Sequence, residues 1–134
     1  MPALDTKVLV RYTVQDDPSQ LAAAKGLISR CVAEIRTLFF PVTVVLELEW
    51  VLRSAFDLSK DEALMTLSSL FSAAELTFES QHGPEVALQL FCKGSADFAD
   101  CLQVALATQA GEQPLWTFDK GACKVSGAQF LAKA

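Results

Sequence analysis

Leu4-Asp5-Thr6-Lys7-Val8-Leu9-Val10-Arg11-Tyr12 is rich in Val and Leu, carries β-branched residues and ends before the turn Asp16-Asp17-Pro18. It reads as a short buried strand. The next segment reads as a helix, because Asp17 is a natural N-cap with Pro18 at the first helical position. Leu21, Leu27, Ile28, Cys31, Val32 and Ile35 then recur at helical spacing. A strand feeding a helix sets the pattern for the rest of the chain. Leu38-Phe39-Phe40 before Pro41 reads as a second strand, and Thr43 as the cap of a helix running to about Phe56, hydrophobic nearly all round and therefore buried. Ser59-Lys60-Asp61-Glu62 has the capping-box spacing ahead of a helix over Ala63 to Ala73. Leu76-Thr77-Phe78 is strand-like, Pro84 to Phe91 and Asp97 to Ala110 are helical, and Leu115-Trp116-Thr117-Phe118 is a strand leading into Asp119. Strands alternating with helices predict an α/β fold with a mainly parallel sheet, in which ligands collect at the carboxyl edge of the strands.

The chain has 134 residues, 51% hydrophobic and 20% charged, the size and composition of one domain, residues 1–134. Its net charge of −5 opposes a nucleic-acid polyanion and argues against an ordinary DNA-binding module. An enzyme that meets phosphates through a bound cation is compatible with it. No apolar run reaches the roughly 18 residues of a membrane span, since Leu38 to Leu52 is interrupted by Glu47 and Glu49. The amino terminus lacks the features of a secretory signal, so the expected compartment is the cytoplasm. Cys31, Cys92, Cys101 and Cys123 are scattered and His82 is the single histidine, which suggests buried free thiols rather than a zinc site or a disulfide framework. His82 itself reads as a turn residue at the surface.

Most acids have ordinary explanations. Glu49 precedes Arg53 by four residues, the favourable order for a surface ion pair. Asp17 caps, Asp61 and Glu62 lie in a first helical turn, Asp16 and Asp57 are turn residues, and Glu34, Glu75, Glu79, Glu85 and Glu112 read as solvated. Asp5, Glu47, Asp97, Asp100 and Asp119 remain, each within or beside apolar sequence where an uncompensated carboxylate is costly. Asp97 and Asp100 share a helix face by their i,i+3 spacing. Hard oxygen ligands of this kind suit Mg²⁺ or Mn²⁺, and such ions serve phosphodiester hydrolysis. Spacing alone leaves separate caps and ion pairs as an equal explanation.

Four segments carry a resemblance across the chain. Leu4 to Arg11 resembles the opening of the PIN-domain ribonucleases, in particular their VapC-like toxin branch. Val44-Val45-Leu46-Glu47-Leu48-Glu49-Trp50-Val51-Leu52 is similar to that family's acidic helix, Ala96-Asp97-Phe98-Ala99-Asp100-Cys101-Leu102 to its Asp-Phe-x-Asp-x-Leu helix, and Thr117-Phe118-Asp119-Lys120 to its Thr-x-Asp segment. The resemblance implies a PIN-like, Rossmann-like α/β/α sandwich and a Mg²⁺- or Mn²⁺-dependent endoribonuclease acting on RNA. It also implies a homodimer and an antitoxin protein as partners. Carried over, Asp5, Glu47, Asp100 and Asp119 form an acidic quartet with Asp97 as an accessory acid, its rank against Asp100 open, while Thr6 and Thr117 support the site by hydrogen bonding. In the implied mechanism these carboxylates hold one or more ions and water attacks the phosphodiester.

Lys7 departs from the pattern, standing where the family has Asn or a small polar residue. On a strand it shares the side of Asp5. Its ammonium either replaces part of the cation's charge and weakens metal binding, turns out to solvent, or grips substrate phosphate. The first outcome gives a rival reading, a PIN-fold protein that binds RNA or a partner with little turnover. Haloacid-dehalogenase phosphatases and response-regulator receivers also place acids on a Rossmann-like sheet. The phosphatases want a second Asp at the position of Lys7, and the receivers want paired acids at the first strand that this chain lacks. Trp50, Trp116, Phe71, Phe78, Phe91 and Phe98 read as core. The resemblance places the segments of Lys93, Lys120 and Lys124 beside the site, which makes these lysines candidates for phosphate contacts, with plain solvated lysines as the alternative.

Overall fold

The computed structural model describes residues 2–132. In chain order these form α1 (Thr6–Val14), α2 (Pro18–Ala33), β1 (Leu38–Phe40), α3 (Val42–Ser54), α4 (Lys60–Ser72), β2 (Leu76–Phe78), α5 (His82–Lys93), α6 (Phe98–Gln109), β3 (Leu115–Thr117), a 3₁₀ turn (Ala122–Lys124) and β4 (Ala128–Phe130). The architecture is α/β, and both strand pairings, β1 with β2 and β3 with β4, are parallel. Two compact units divide between Gln81 and His82.

The strand expected over Leu4 to Tyr12 is a helix. Only a short extended stretch precedes it. Ala3 bridges Phe39 in parallel, the Leu4 N–H donates to the Phe39 carbonyl and the Phe39 N–H to the Pro2 carbonyl, each at 2.9 Å. Asp5 then caps α1, its Oδ1 accepting from the Val8 N–H at 3.2 Å. The β-branched composition that suggested a strand is overridden by packing. Thr6, Leu9 and Val10 are buried, spaced i, i+3, i+4 on the side of α1 that meets α2 and α3. Because Asp5 is the cap and Lys7 the second helical residue, the alternation that placed them on one strand face does not operate.

In the first unit, α2 begins as expected, with the Asp17 side chain accepting from the Gln20 N–H at 3.1 Å and Pro18 in the first turn. It stops at Ala33. Ile35 lies beyond the helix with φ of 55° and is 95% exposed, so it is not part of the buried stripe. β1 is bonded on both sides, to residues 2–4 and to β2, with Leu38, Phe39 and Phe40 in register with Leu76, Thr77 and Phe78. Phe40 stacks on Phe78 with centroids 5.2 Å apart, and half-buried Phe71 meets Phe78 edge-on at 5.0 Å. Each such pair adds about 0.5–1.5 kcal/mol beyond area burial. The capping box forms as expected. The Glu62 N–H donates to Ser59 Oγ at 3.1 Å and the Ser59 N–H to Glu62 Oε1 at 3.0 Å.

Helix α3 starts one residue before Thr43, and no local side chain caps it. Its cap comes from a distance, since Glu79 Oε1 accepts from the Val42 N–H at 2.8 Å. Glu79 is therefore not merely a solvated acid. Along α3, Val44, Val45, Leu48, Glu49 and Leu52 face inward, while Leu46, Glu47 and Trp50 are exposed. This reverses two expectations. Glu47 is not in a buried environment, and the Glu49–Arg53 pair is not a surface pair, because Glu49 is 2% exposed.

The second unit is built on α5 packed against α6, with α6 also meeting β3. Its core includes Phe91 and Phe98, edge-to-face at 5.6 Å, together with Ala87, Cys101, Leu102, Val104 and Ala105. Helix α5 begins at His82, so the expected turn at His82-Gly83-Pro84 is its first turn, where His82 is exposed. Trp50 and Trp116 are 62% and 54% exposed and are not core residues. Cys31 and Cys101 are buried, but Cys92 is exposed and Cys123 half-buried.

Candidate active site

In the first unit, Asp5 and Glu47 line one cavity of about 560 Å³. Two local features bring them together. The hydrogen bonds of residues 2–4 to β1 end at Leu4, which leaves Asp5 free to cap α1 at the end of the paired segment. Pro41 ends β1 and α3 starts immediately after it, so Thr43, Val44 and Glu47 present one side of the first turns of α3 to the same cavity. Asp5 and Glu47 are both exposed, whereas Thr6, the next lining residue, is buried.

Lys7 also lines this cavity. Among the described residues it forms no ion pair with Asp5 or Glu47. The ammonium stem thus borders the carboxylates without neutralising them at contact distance. An adjoining cavity between α1 and α2 has Asp5, Lys7 and Arg11 in its wall. There Arg11 is held by Asp16 at 2.7 Å and by Gln20 Oε1 at 2.6 Å.

The second unit holds the remaining acids. Asp97 occupies the N-cap position of α6 but makes no side-chain cap bond, and Asp100 lies in the first turn. Asp119 follows β3, where its own N–H donates to Thr117 Oγ1 at 2.9 Å while its Oδ1 accepts from the Gly121 N–H at 2.8 Å. Thr117 thus positions the Asp119 backbone, and Gly121 restrains the carboxylate. Partial burial, then the negative charges of Asp119 and Asp97, raise the pKa of Asp100 above its ordinary value. Asp119 and Asp97 thus both act electrostatically on Asp100.

The donor chemistry fits a hard divalent cation, since every candidate ligand is a carboxylate and the crowding around Asp100 is of the kind a cation relieves. Among the described residues, no three His, Cys, Asp or Glu side chains converge as a finished ligand group. The structure brings Asp5 together with Glu47, and Asp97 and Asp119 within electrostatic reach of Asp100. Sequence reasoning missed Glu79, whose role depends on a contact 37 residues away and leaves no local signal.

Residues 3–128 match the PIN domain family. The chain belongs to that family. The match runs through both compact units and agrees with helices and parallel strands in an α/β arrangement. PIN domains are generally nucleases and generally use divalent metals. No curated protein matches the chain significantly. No helix among the described residues is long and apolar enough to cross a membrane.

Proposed function

We propose that this PIN-domain protein is a Mg²⁺- or Mn²⁺-dependent endoribonuclease of the VapC-like kind, the toxin of a toxin–antitoxin pair, working in the cytoplasm as one domain over residues 1–134 and as a homodimer. The observation that carries the nuclease reading is the cavity shared by Asp5 and Glu47, two acids from separate elements in a family of nucleases. The residues that would hold divalent ions are, in the first unit, Asp5 and Glu47 and, taken separately, in the second unit Asp97, Asp100 and Asp119. When bound, the ion supplies water activation and neutralises phosphate charge. The chain's own part is to orient those carboxylates. The Val8 N–H holds Asp5, Thr117 and Gly121 hold Asp119, and the Glu79 cap holds the first turn of the helix that carries Glu47. The antitoxin and the RNA target come from the resemblance alone.

A second reading is favoured by one observation, the presence of Lys7 in the wall of the Asp5–Glu47 cavity. A cation bordering both carboxylates competes with the metal, giving a PIN-fold RNA- or partner-binding protein with little turnover. Purified protein incubated with structured and single-stranded RNAs in Mg²⁺ or Mn²⁺, beside Asp5→Asn and Lys7→Asn, decides between them. Metal-dependent cleavage lost in Asp5→Asn supports the nuclease. Cleavage seen only in Lys7→Asn supports the second reading, and none in any variant overturns the first.

A further inference from the structure

Lys93, the last residue of α5, and Lys124, the last of the 3₁₀ turn, line one cavity of about 210 Å³ in the second unit. Ser95 and Ser126 line it too, and no carboxylate is in its wall. In a chain of net charge −5, two cations from separate segments border the same space. Among the described residues neither forms an ion pair. Lys93, Ser95, Lys124 and Ser126 are all exposed, so an anion entering from solvent can reach ammonium and hydroxyl groups together. Ammonium groups and hydroxyls are the donors such an anion needs.

From this convergence we propose that the Lys93–Lys124 pocket binds a phosphate group, as the subsite for a backbone phosphodiester of an RNA strand beside the one being cut. The rest of the wall argues for a strand rather than a free ion. Ala96 lines the pocket and the next residue is Asp97, the N-cap residue of α6, with Asp100 one turn further on. The wall of the pocket thus ends one residue before the first of the acids of the second unit. Lys120, the third lysine that the sequence put forward for phosphate, is not in the wall. The identity of the strand rests on the nuclease reading, whereas the pocket does not.

The bland role for both lysines is complementing the negative end of a helical segment, which affects stability and not binding. Inorganic phosphate titrated into ¹⁵N-labelled protein is expected to shift the Ser95 and Ser126 amide signals. It should fail to do so in the double variant Lys93→Gln with Lys124→Gln, at an unchanged melting temperature. A short oligouridylate, added in EDTA to Asp5→Asn protein so that nothing is cut, should bind more weakly in the double variant. Its salt dependence, log K against log salt, should flatten by about 0.7 for each phosphate no longer engaged. Shifts that are absent, or that persist unchanged in the double variant, overturn the pocket, as does a lower melting temperature with unaltered binding. Phosphate binding with unaffected oligonucleotide binding overturns the strand assignment. Loss of RNA cleavage in every assay with oligonucleotide binding intact overturns the nuclease reading and leaves the pocket standing.

Discussion

The carboxylate of Glu79 accepts a hydrogen bond from the Val42 N–H at 2.8 Å, so a residue just after β2 caps the helix that follows β1. Parallel pairing explains the reach. Phe40 is in register with Phe78 and the Glu79 N–H donates to the Phe40 carbonyl at 2.9 Å, which delivers Glu79 to the first turn of α3. Glu79→Ala removes this cap and is expected to cost about 1 kcal/mol of stability, measured by urea unfolding. Glu79→Gln, which keeps an acceptor, should recover most of it. If the carboxylate also fixes the turn bearing Thr43 and Glu47, Glu79→Ala lowers cleavage more than Glu79→Gln does.

Glu49 is enclosed on the inner side of α3 and both its oxygens meet the Arg53 guanidinium, Oε2 at 3.2 Å from Nη2. Arg53→Ala strands a carboxylate in the core and is expected to destabilise the fold by about 3 kcal/mol, the lower end for a buried pair because water reaches the arginine. Glu49→Leu removes the charge itself and should cost markedly less. Equal losses in denaturant unfolding would show that Glu49 is not buried as described.

Asp100 has its pKa raised by burial and by Asp119 and Asp97. The folded state therefore holds this proton more tightly than the unfolded chain does. The ionised group disfavours folding at neutral pH, and the penalty is relieved as pH falls through the raised folded pKa. In EDTA, Asp100→Asn is expected to raise the melting temperature at pH 7, with the gain shrinking in acid. The same substitution should abolish cleavage. An unchanged or lower melting temperature at pH 7 would count against crowding of these three acids.

Glu62 behaves in the opposite sense, its pKa lowered from the ordinary value of 4.5 by hydrogen bonds from the Ser59 backbone and side chain. Its contribution is fully present above the unfolded value and is lost as pH falls through the lower folded one. Melting temperatures of Glu62→Gln should therefore differ from wild type at pH 6 and converge with it in acid, as pH falls through the lowered folded value. Parallel curves across that range would contradict it.

Elements whose boundaries are written in local chemistry were legible from the sequence. Asp17-Pro18 opened α2, Ser59 and Glu62 opened α4, and Pro41 closed β1. Helix α1 was hidden because Val8, Val10 and Val14 favour strands. The competing signal was the 6, 9, 10 spacing of buried residues behind an N-cap Asp. In α3 the acids were found but their phase was not, since hydrophobic residues surround the helix on every side. The inward positions 45, 48, 49 and 52 follow the helical repeat and would have placed Glu49 inside and Glu47 outside. The Asp5–Glu47 pairing in one cavity lay beyond local reading, because it depends on residues 2–4 bonding to β1.

Asp5 serves two masters, as the first cap of α1 and as a candidate ligand. That governs how an inactive control should be built. Asn caps a helix about as well as Asp, whereas Ala forfeits the bond to Val8. Asp5→Asn removes the charge while leaving the start of α1 in place. Asp5→Ala frays the first turn, on which Lys7 also sits, and so confounds lost chemistry with lost architecture.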